Sequence, residues 1–466
     1  MKERVMSGKR NETLRKRVFM TGCTGVMGMA AMREFMGRLD RFSLTVLARP
    51  GEKNRKKLQP FIEKGADVVW GDMMCPEDIK KGVAKADIVL HVGGMVSPAA
   101  DYFPEKTYKV NTQSMRNIID AVKERPDCDS VGVVYIGSVS QYGDHRPPNH
   151  WGNTRTLQQP AGNDAYARSK IDAERMLSDS GLKKWVSLRQ TAILSSALLG
   201  KATDPVAFHV PVRGVLEWVT VEDSGRLLAN VCEDWVPDDL WCRFYNVGGG
   251  ESYRLTNYEF EAMLMKALHC PPPEKVFDVR WFSTRNFHGM WFEDSDLLDE
   301  ILHYRSGETA AEYFKRLAGS LPWYYRLTPI VPSFVIKGMM RWVAGRNRLA
   351  PLYWKKHGVT ERIARHFGSL EEWKSLPGWE RTDLRRPSGA PVRICQPMER
   401  KPVGQLDIAD MREIATQRGG ECLSENMTPG DMSTLLMWKN AEGACFEASP
   451  ASVALGGHWG PPNYSY

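Results

Sequence analysis

From Arg17 to about residue 190 the chain alternates short β-branched apolar runs with stretches whose apolar positions recur every three or four residues. The runs Val18–Thr21, Leu44–Leu47, Val68–Trp70, Ile88–Val92, Val131–Ile136 and Val186–Leu188 read as strands, because they are short, nearly all apolar and bounded by turn or helix signals. Helical patterns open after Gly25, at Pro76-Glu-Asp, near Phe103 and Asn111, and at Asp164. A strand that is apolar on both faces must be covered on both faces, which calls for a parallel sheet between two layers of helices. The expected fold is therefore α/β, a doubly wound Rossmann-type parallel sheet whose carboxyl strand ends form a crevice for a ligand.

From about 200 to 320 the alternation is lost. Trp218-Val-Thr-Val-Glu-Asp reads as a strand entering a helix, and Thr256-Asn-Tyr-Glu-Phe-Glu opens another with a capping-box signature. Trp281, Phe282, Phe287, Trp291 and Phe292 cluster before a helical Asp294–Leu302. These segments are expected to form a smaller substrate lobe over the crevice. The pattern divides the chain into a basic tail (1–16), a main domain (17–320), an aromatic and basic extension with a linker (321–400) and a small terminal unit (401–466). Within the extension, Ser333–Gly345 can form a helix with Val335, Ile336, Met339, Met340 and Val343 on one face and Lys337 and Arg341 opposite. An interfacial helix on a membrane has this pattern, as does a helix packed on the sheet, and the latter is the preferred reading.

Composition narrows the class. The 466 residues are 42% hydrophobic, 26% charged and 10% aromatic, which suits a soluble globular protein of more than one unit. The net charge of +7 is mild and is concentrated in the N-terminal tail, so nucleic acid is not an expected partner. Nine cysteines without a C-x-x-C pair argue for a reducing compartment. With no apolar leader and no run of some 20 apolar residues, a cytoplasmic location is expected.

The candidate chemistry lies in three motifs. Gly22-Cys-Thr24-Gly25-Val26-Met27-Gly28 follows the first strand and opens a helix, so its backbone can approach a pyrophosphate at the helix N-terminus. The second strand ends in Arg49 with no acid, and Lys53 and Arg55 follow. An acid there would accept a ribose 2′-hydroxyl and an arginine would meet a 2′-phosphate, so NADP(H) is preferred over NAD(H). Asp72, after the third strand, could accept a hydrogen bond from the adenine amino group. Met73, Val92 and Gly93 complete the expected cofactor wall. Tyr166 and Lys170 are one helical turn apart. A free phenol has a pKa near 10, and a neighbouring ammonium is expected to lower it toward a usable range. Ser138, at the end of the fifth strand, would orient the substrate oxygen toward Tyr166.

This set resembles the extended short-chain dehydrogenase/reductase family, which also contains the NAD-dependent sugar epimerases and dehydratases. The matching residues are Thr21-Gly-x-x-Gly-x-x-Gly28, Gly71-Asp72, His91-Val-Gly-Gly94, Asn111, Gly137-Ser138-x-x-x-Tyr142-Gly143 and Tyr166-x-x-x-Lys170, with Leu188-Arg189, Val221-Glu-Asp223 and Asp294–Tyr304 further on. The resemblance implies that Ser138, Tyr166 and Lys170 are catalytic, that Asn111 supports them, and that two chains pair through the tyrosine-bearing helices as a homodimer. In the family's sugar-nucleotide enzymes an asparagine and a Tyr-Gly-Pro segment follow the arginine of the sixth strand. This chain reads Arg189-Gln-Thr-Ala-Ile-Leu-Ser. The expectation is thus an NAD(P)-dependent oxidoreductase that interconverts a ketone and a secondary alcohol on a lipophilic or aromatic, for example steroid-like, small molecule. A nucleotide-sugar epimerase or dehydratase is the alternative within the enzyme class, and a non-catalytic NADP-binding redox sensor the alternative outside it. The C-terminal stretch resembles a small bacterial zinc-ribbon-like repeat domain with its metal lost, since Asn440, Ala444, Gly460 and Asn463 stand where ligands would be and only Cys445 and His458 remain nearby.

Overall fold

The computed structural model describes residues 15–162, 164–196, 204–391 and 397–461. The rest of the basic tail, part of the segment before Trp218, five linker residues and Asn463 lie outside them. Seven parallel strands form the central sheet: β1 (Lys16–Thr21), β2 (Phe42–Ala48), β3 (Asp67–Trp70), β4 (Ile88–His91), β5 (Gly132–Ser138), β6 (Trp185–Gln190) and β7 (Arg243–Val247). Their order, β7-β6-β5-β4-β1-β2-β3, reverses direction beside β1, and the ligand crevice of such a sheet opens at that point. The crossovers are α1 (Val26–Met36), α2 (Glu52–Ile62), α3 (Pro76–Val83), α4 (Pro104–Lys123), α5 (Ala165–Ser178) and α6 (Val221–Asn230). Alternating residues of a strand serve opposite helix layers. In β1, Val18 and Met20 join the core beneath α1 and α6, while Phe19 joins the one beneath α3, α4 and α5.

The seventh strand was not legible in the apolar alternation. Arg243-Phe-Tyr-Asn-Val247 carries polar residues and follows β6 only after a long excursion, so neighbouring sequence does not announce it. Only pairing with β6, Arg243 opposite Val186 through Val247 opposite Gln190, makes it a strand. The lobe helix α7 (Asn257–Ala267) starts as expected: Thr256 caps the Glu259 N–H, and the Glu259 carboxylate returns to the Thr256 N–H.

The extension differs from the preferred reading. Helix α8 (Ser333–Val343) packs on the lobe rather than on the sheet, burying Ile336, Met340 and Val343 with Phe260 and Phe277. Val335 and Met339, expected on the buried face, are 48% and 53% exposed. A helix of 11 residues laid across a lobe buries only a narrow stripe, and these two fall at its edge.

The terminal unit has a helix (Ile408–Gln417) and a three-stranded antiparallel sheet ending in Cys445–Ala448. Among the described residues it has no core of its own. Leu406, Met411, Ile414, Trp438 and Leu455 share one continuous core with Ile118, Leu177, Trp185 and Phe244 of the main domain. Polar contacts reinforce the join: Arg175 of α5 donates to the Gly460 and Glu447 carbonyls (2.5 Å each), and Asp179 accepts from Ser449 (2.7 Å) and Ser452 (2.7 Å). A homodimer built on this part of α5 would have to displace the terminal unit. His458 turns inward, 1% exposed, with Nε2 2.9 Å from Glu174.

Candidate active site

The glycine loop closes as its spacing requires. Gly22 has φ +74°, and a Cβ there would lie 2.6 Å from the Gly93 nitrogen. At Gly28 a Cβ would lie 2.2 Å from the Gly22 carbonyl oxygen. No side chain fits at either position, so the turn presents bare backbone to the crevice. The floor opposite is fixed by Thr21, whose Oγ1 accepts from the Gly93 N–H (3.0 Å) and meets His91 Nδ1 (2.9 Å). The other His91 nitrogen meets Ser114 (3.2 Å), and burial pushes the imidazole down to about 3, so it stays neutral.

A single cavity of about 1340 Å³ runs from this loop into the lobe. Gly22, Thr24, Gly25, Val26, Met27, Gly28, Arg49, Asp72, Met73, Val92, Gly93, Ser138, Tyr166 and Lys170 all line it. Asn111 does not. Its amide accepts from the Met95 N–H (2.8 Å), donates to the Met95 carbonyl (3.1 Å) and donates to Ser169 Oγ (2.9 Å). These bonds tie the loop after β4 to the helix that carries Tyr166 and Lys170.

At Ser138 the geometry assigns a donor role. Its Oγ accepts from the Ser140 N–H (3.2 Å) and the Ser140 hydroxyl (3.0 Å), which occupies both lone pairs and leaves its own hydrogen to donate. Burial pushes the Tyr166 phenol up to about 12, against a hydrogen bond from Ser138 that lowers it. The expected lowering by Lys170 is absent in the protein alone. Lys170 Nζ donates to the Ile136 carbonyl (2.7 Å) and sits 5.9 Å from the Tyr166 ring centre. Burial moves Lys170 itself down to about 8, partly offset by Glu174.

A lysine with a lower pKa folded than unfolded destabilises the fold while it is charged. That penalty is complete below pH 8 and fades as pH rises toward the unfolded value near 10.4. Lys170→Met should therefore be more stable than the parent at neutral pH. Its advantage should shrink by roughly 1.4 kcal/mol per pH unit above 8. Urea unfolding of both proteins from pH 7 to pH 10 checks this, and a constant difference would remove the buried-charge account.

Arg49 stands at the rim, its carbonyl held by Asn54 (2.8 Å). Arg55 is engaged 4.5 Å over Trp70, and Lys57 bonds the Thr24 carbonyl. Asp72 Oδ1 accepts from the Met74 N–H (3.0 Å).

Four lining residues escaped the sequence reading. Gln190 Oε1 and Thr191 Oγ1 are buried without a hydrogen-bond partner, so both are available to a bound molecule. Their signal was their place, at the carboxyl end of the sixth strand. His288 lies 4.0 Å from Asp164 and is held neutral by burial, which pushes it down to about 4. Glu261 of α7 lines the cavity beside Phe260 and Leu264, and burial alone pushes its carboxyl up to about 7. An acid on an otherwise apolar helical face was the available sign.

Residues 18–196 match the model of the NAD dependent epimerase/dehydratase family. The human protein 3 beta-hydroxysteroid dehydrogenase type 7 is 25% identical over 177 residues, a match covering 35% of this chain and 44% of that one. The matched segment thus spans less than half of that relative's length. Among solved structures, a dTDP-glucose 4,6-dehydratase from Bacillus anthracis in complex with NAD aligns with a TM-score of 0.52 at 14% identity, covering 67% of this chain and 97% of that one. A UDP-glucose 4-epimerase from Bifidobacterium longum in complex with NAD+ and UDP gives 0.50 at 16% identity, over 67% and 98%. At such identities the likeness is one of fold.

Proposed function

We propose that this chain, whose residues 18–196 carry the NAD dependent epimerase/dehydratase family pattern, is an NAD(P)-dependent oxidoreductase interconverting a ketone and a secondary alcohol on a lipophilic substrate. One observation carries the reading. The glycine cradle, the Ser138–Tyr166–Lys170 group and an apolar wall of Leu216, Phe260, Leu264, Phe277 and Phe282 all belong to the same cavity.

The cradle fits a dinucleotide, because the packing that leaves no room for a Cβ at Gly22 or Gly28 brings bare backbone to the N-terminus of α1. Gly22 to Gly28 would hold the pyrophosphate, Asp72 the adenine amino group, Gln190 and Thr191 the ring carboxamide, and Lys170 the ribose hydroxyls. When bound, the nicotinamide supplies or accepts the hydride. The protein's own part is to hold the substrate oxygen and move its proton. Ser138 donates to that oxygen and orients it. Tyr166, kept protonated by burial, gives its proton to the oxygen of a ketone as it becomes an alcohol. Lys170 brings positive charge to the site, which favours the phenolate once the proton has left. The lobe wall excludes water and takes up the apolar body of the substrate.

NADP(H) is the preferred cofactor in this reading, on the support of Arg49 at the rim and the absence of an acid at the end of β2. Arg49→Ser should weaken NADP⁺ binding by roughly 10–100-fold and leave NAD⁺ binding unchanged, as measured by fluorescence titration. Equal loss for both cofactors would overturn the preference. The function itself is tested by NADPH absorbance with a panel of steroid-like and aromatic ketones. Stoichiometric consumption supports the reading. A protein that retains its cofactor through purification and converts UDP-glucose with no net consumption would be an epimerase.

A further inference from the structure

Nine of the large hydrophobic side chains that remain exposed fall between Trp323 and Trp342. Trp323 is 71% exposed, Ile330 77%, Phe334 74% and Trp342 61%, an unusual waste of apolar surface for a helix and its lead-in turn. The charge along this stretch of chain is one-sided. Between Leu321 and Thr360 there is no Asp or Glu, while Arg326, Lys337, Arg341, Arg346, Arg348, Lys355 and Lys356 supply seven positive charges. Arg326, Arg341 and Arg346 are themselves exposed, and Arg346 lies 5.3 Å over the Trp342 ring. No helix of the described residues is long and apolar enough to cross a membrane, and α8 has only 11 residues. A short helix with aromatic residues outward and basic residues around them is suited to lie in the headgroup region of a bilayer.

The patch is continuous with the cavity. Val331, Val335 and Met339 are 38%, 48% and 53% exposed and also line the cavity wall. Apolar surface therefore extends from outside the molecule to the chamber that holds Ser138 and Tyr166. From this continuity, and from the excess of positive charge, we propose that Trp323–Trp342 docks the protein on an anionic bilayer surface, with the cavity mouth against the lipid. An apolar molecule dissolved in the bilayer then reaches the cavity without crossing water. The delivery role rests on the lipophilic-substrate reading above, whereas the docking rests on the patch alone.

The test is co-sedimentation of the full chain with phosphatidylcholine vesicles made with and without phosphatidylglycerol. The parent protein should bind the anionic vesicles at least about tenfold more tightly, since each basic residue near an anionic surface contributes roughly fivefold. Phe334→Asp combined with Trp342→Asp should reduce that binding by roughly a hundredfold, because each buried aromatic contributes on the order of tenfold. Neither residue lines the cavity, so cofactor titration of the variant should match the parent and show that it is folded. Arg326→Glu with Arg341→Glu should remove the preference for anionic vesicles. A parent protein left in the supernatant with anionic vesicles overturns the proposal, as does a Phe334/Trp342 variant that sediments like the parent. A concentration-dependent dimer that the same variant abolishes, in the absence of vesicle binding, would assign the patch to a second copy of the chain instead. Docking that fails while a water-soluble ketone is still reduced would leave the enzymatic reading standing, which separates the two failures.

Discussion

Tyr166→Phe should lower turnover by roughly 10²–10⁴-fold, the range for losing a positioned acid or base, and leave cofactor affinity unchanged. Phe keeps the ring and its packing, so the cavity holds its shape and only the hydroxyl, with its exchangeable proton, is lost. The neighbours explain why that proton matters. Ser138 has both lone pairs occupied by Ser140 and has only a donor left to offer, so it cannot take a proton from the reacting oxygen. Lys170 is bonded to the Ile136 carbonyl at 2.7 Å, away from the phenol. Tyr166, pushed up to about 12 by burial, is the group that is protonated at neutral pH and lies beside Ser138. Single-turnover NADPH absorbance measures the loss, and fluorescence titration with NADP⁺ measures the affinity. A Phe variant that turns over normally would remove Tyr166 as the acid.

The largest stability effect is expected at Glu174, one turn beyond Lys170 on the same helix. Its carboxylate and Arg189 form an ion pair at 2.6 Å with both side chains 0% exposed. Gln158 (2.9 Å), Ser187 (2.5 Å) and His458 (2.9 Å) also donate to it, while Arg189 donates onward to Tyr142 (2.7 Å) and the Gly456 carbonyl (2.5 Å). Burial opposes the charge on Glu174, but Arg189 and the bond from His458 outweigh it and hold the carboxyl well below the usual range. Glu174→Ala leaves a buried guanidinium unpaired and should cost about 3–5 kcal/mol. Replacing both partners, as Glu174→Leu with Arg189→Met, should cost clearly less, because no lone charge remains. Since the folded pKa is depressed, the stability from this pair is present above the unfolded value near 4.3 and is lost as pH falls below it. The gap between parent and Glu174→Ala in urea unfolding should therefore narrow below pH 4. A gap that is constant with pH, or a double variant as unstable as the single one, would contradict this account.

The same cluster shows where local sequence stops being informative. Glu174, Arg189, Gln158 and His458 are scattered over three hundred residues, and nothing in their separate surroundings suggests that they meet. In the sequence His458 stood only near the expected ligand positions, whereas in the fold its nitrogen satisfies Glu174 on the helix that carries Tyr166. Asn111 was legible as a family landmark, but its partners, the Met95 backbone and the Ser169 hydroxyl, were not. Glu261 offered only an acid on an apolar helical face, and His288 no local signal, because their lobe is assembled from distant segments. The apolar extension was read with its stripe turned inward, and the structure leaves its edge facing out.

Some of this protein follows from sequence alone because the determinants are local. Strand and helix periods set the α/β layers, glycines at 22, 25 and 28 set a turn that only a bare backbone can make, and a four-residue spacing sets Tyr166 and Lys170 on one helical face. Tertiary structure decided what depends on neighbours remote in the chain. Burial, rather than Lys170, sets the protonation of Tyr166. Pairing with β6 makes β7 a strand, and a shared core makes the terminal unit part of the main domain. Electrostatics and packing act through space, and the distances on which they depend exist only once the chain has folded.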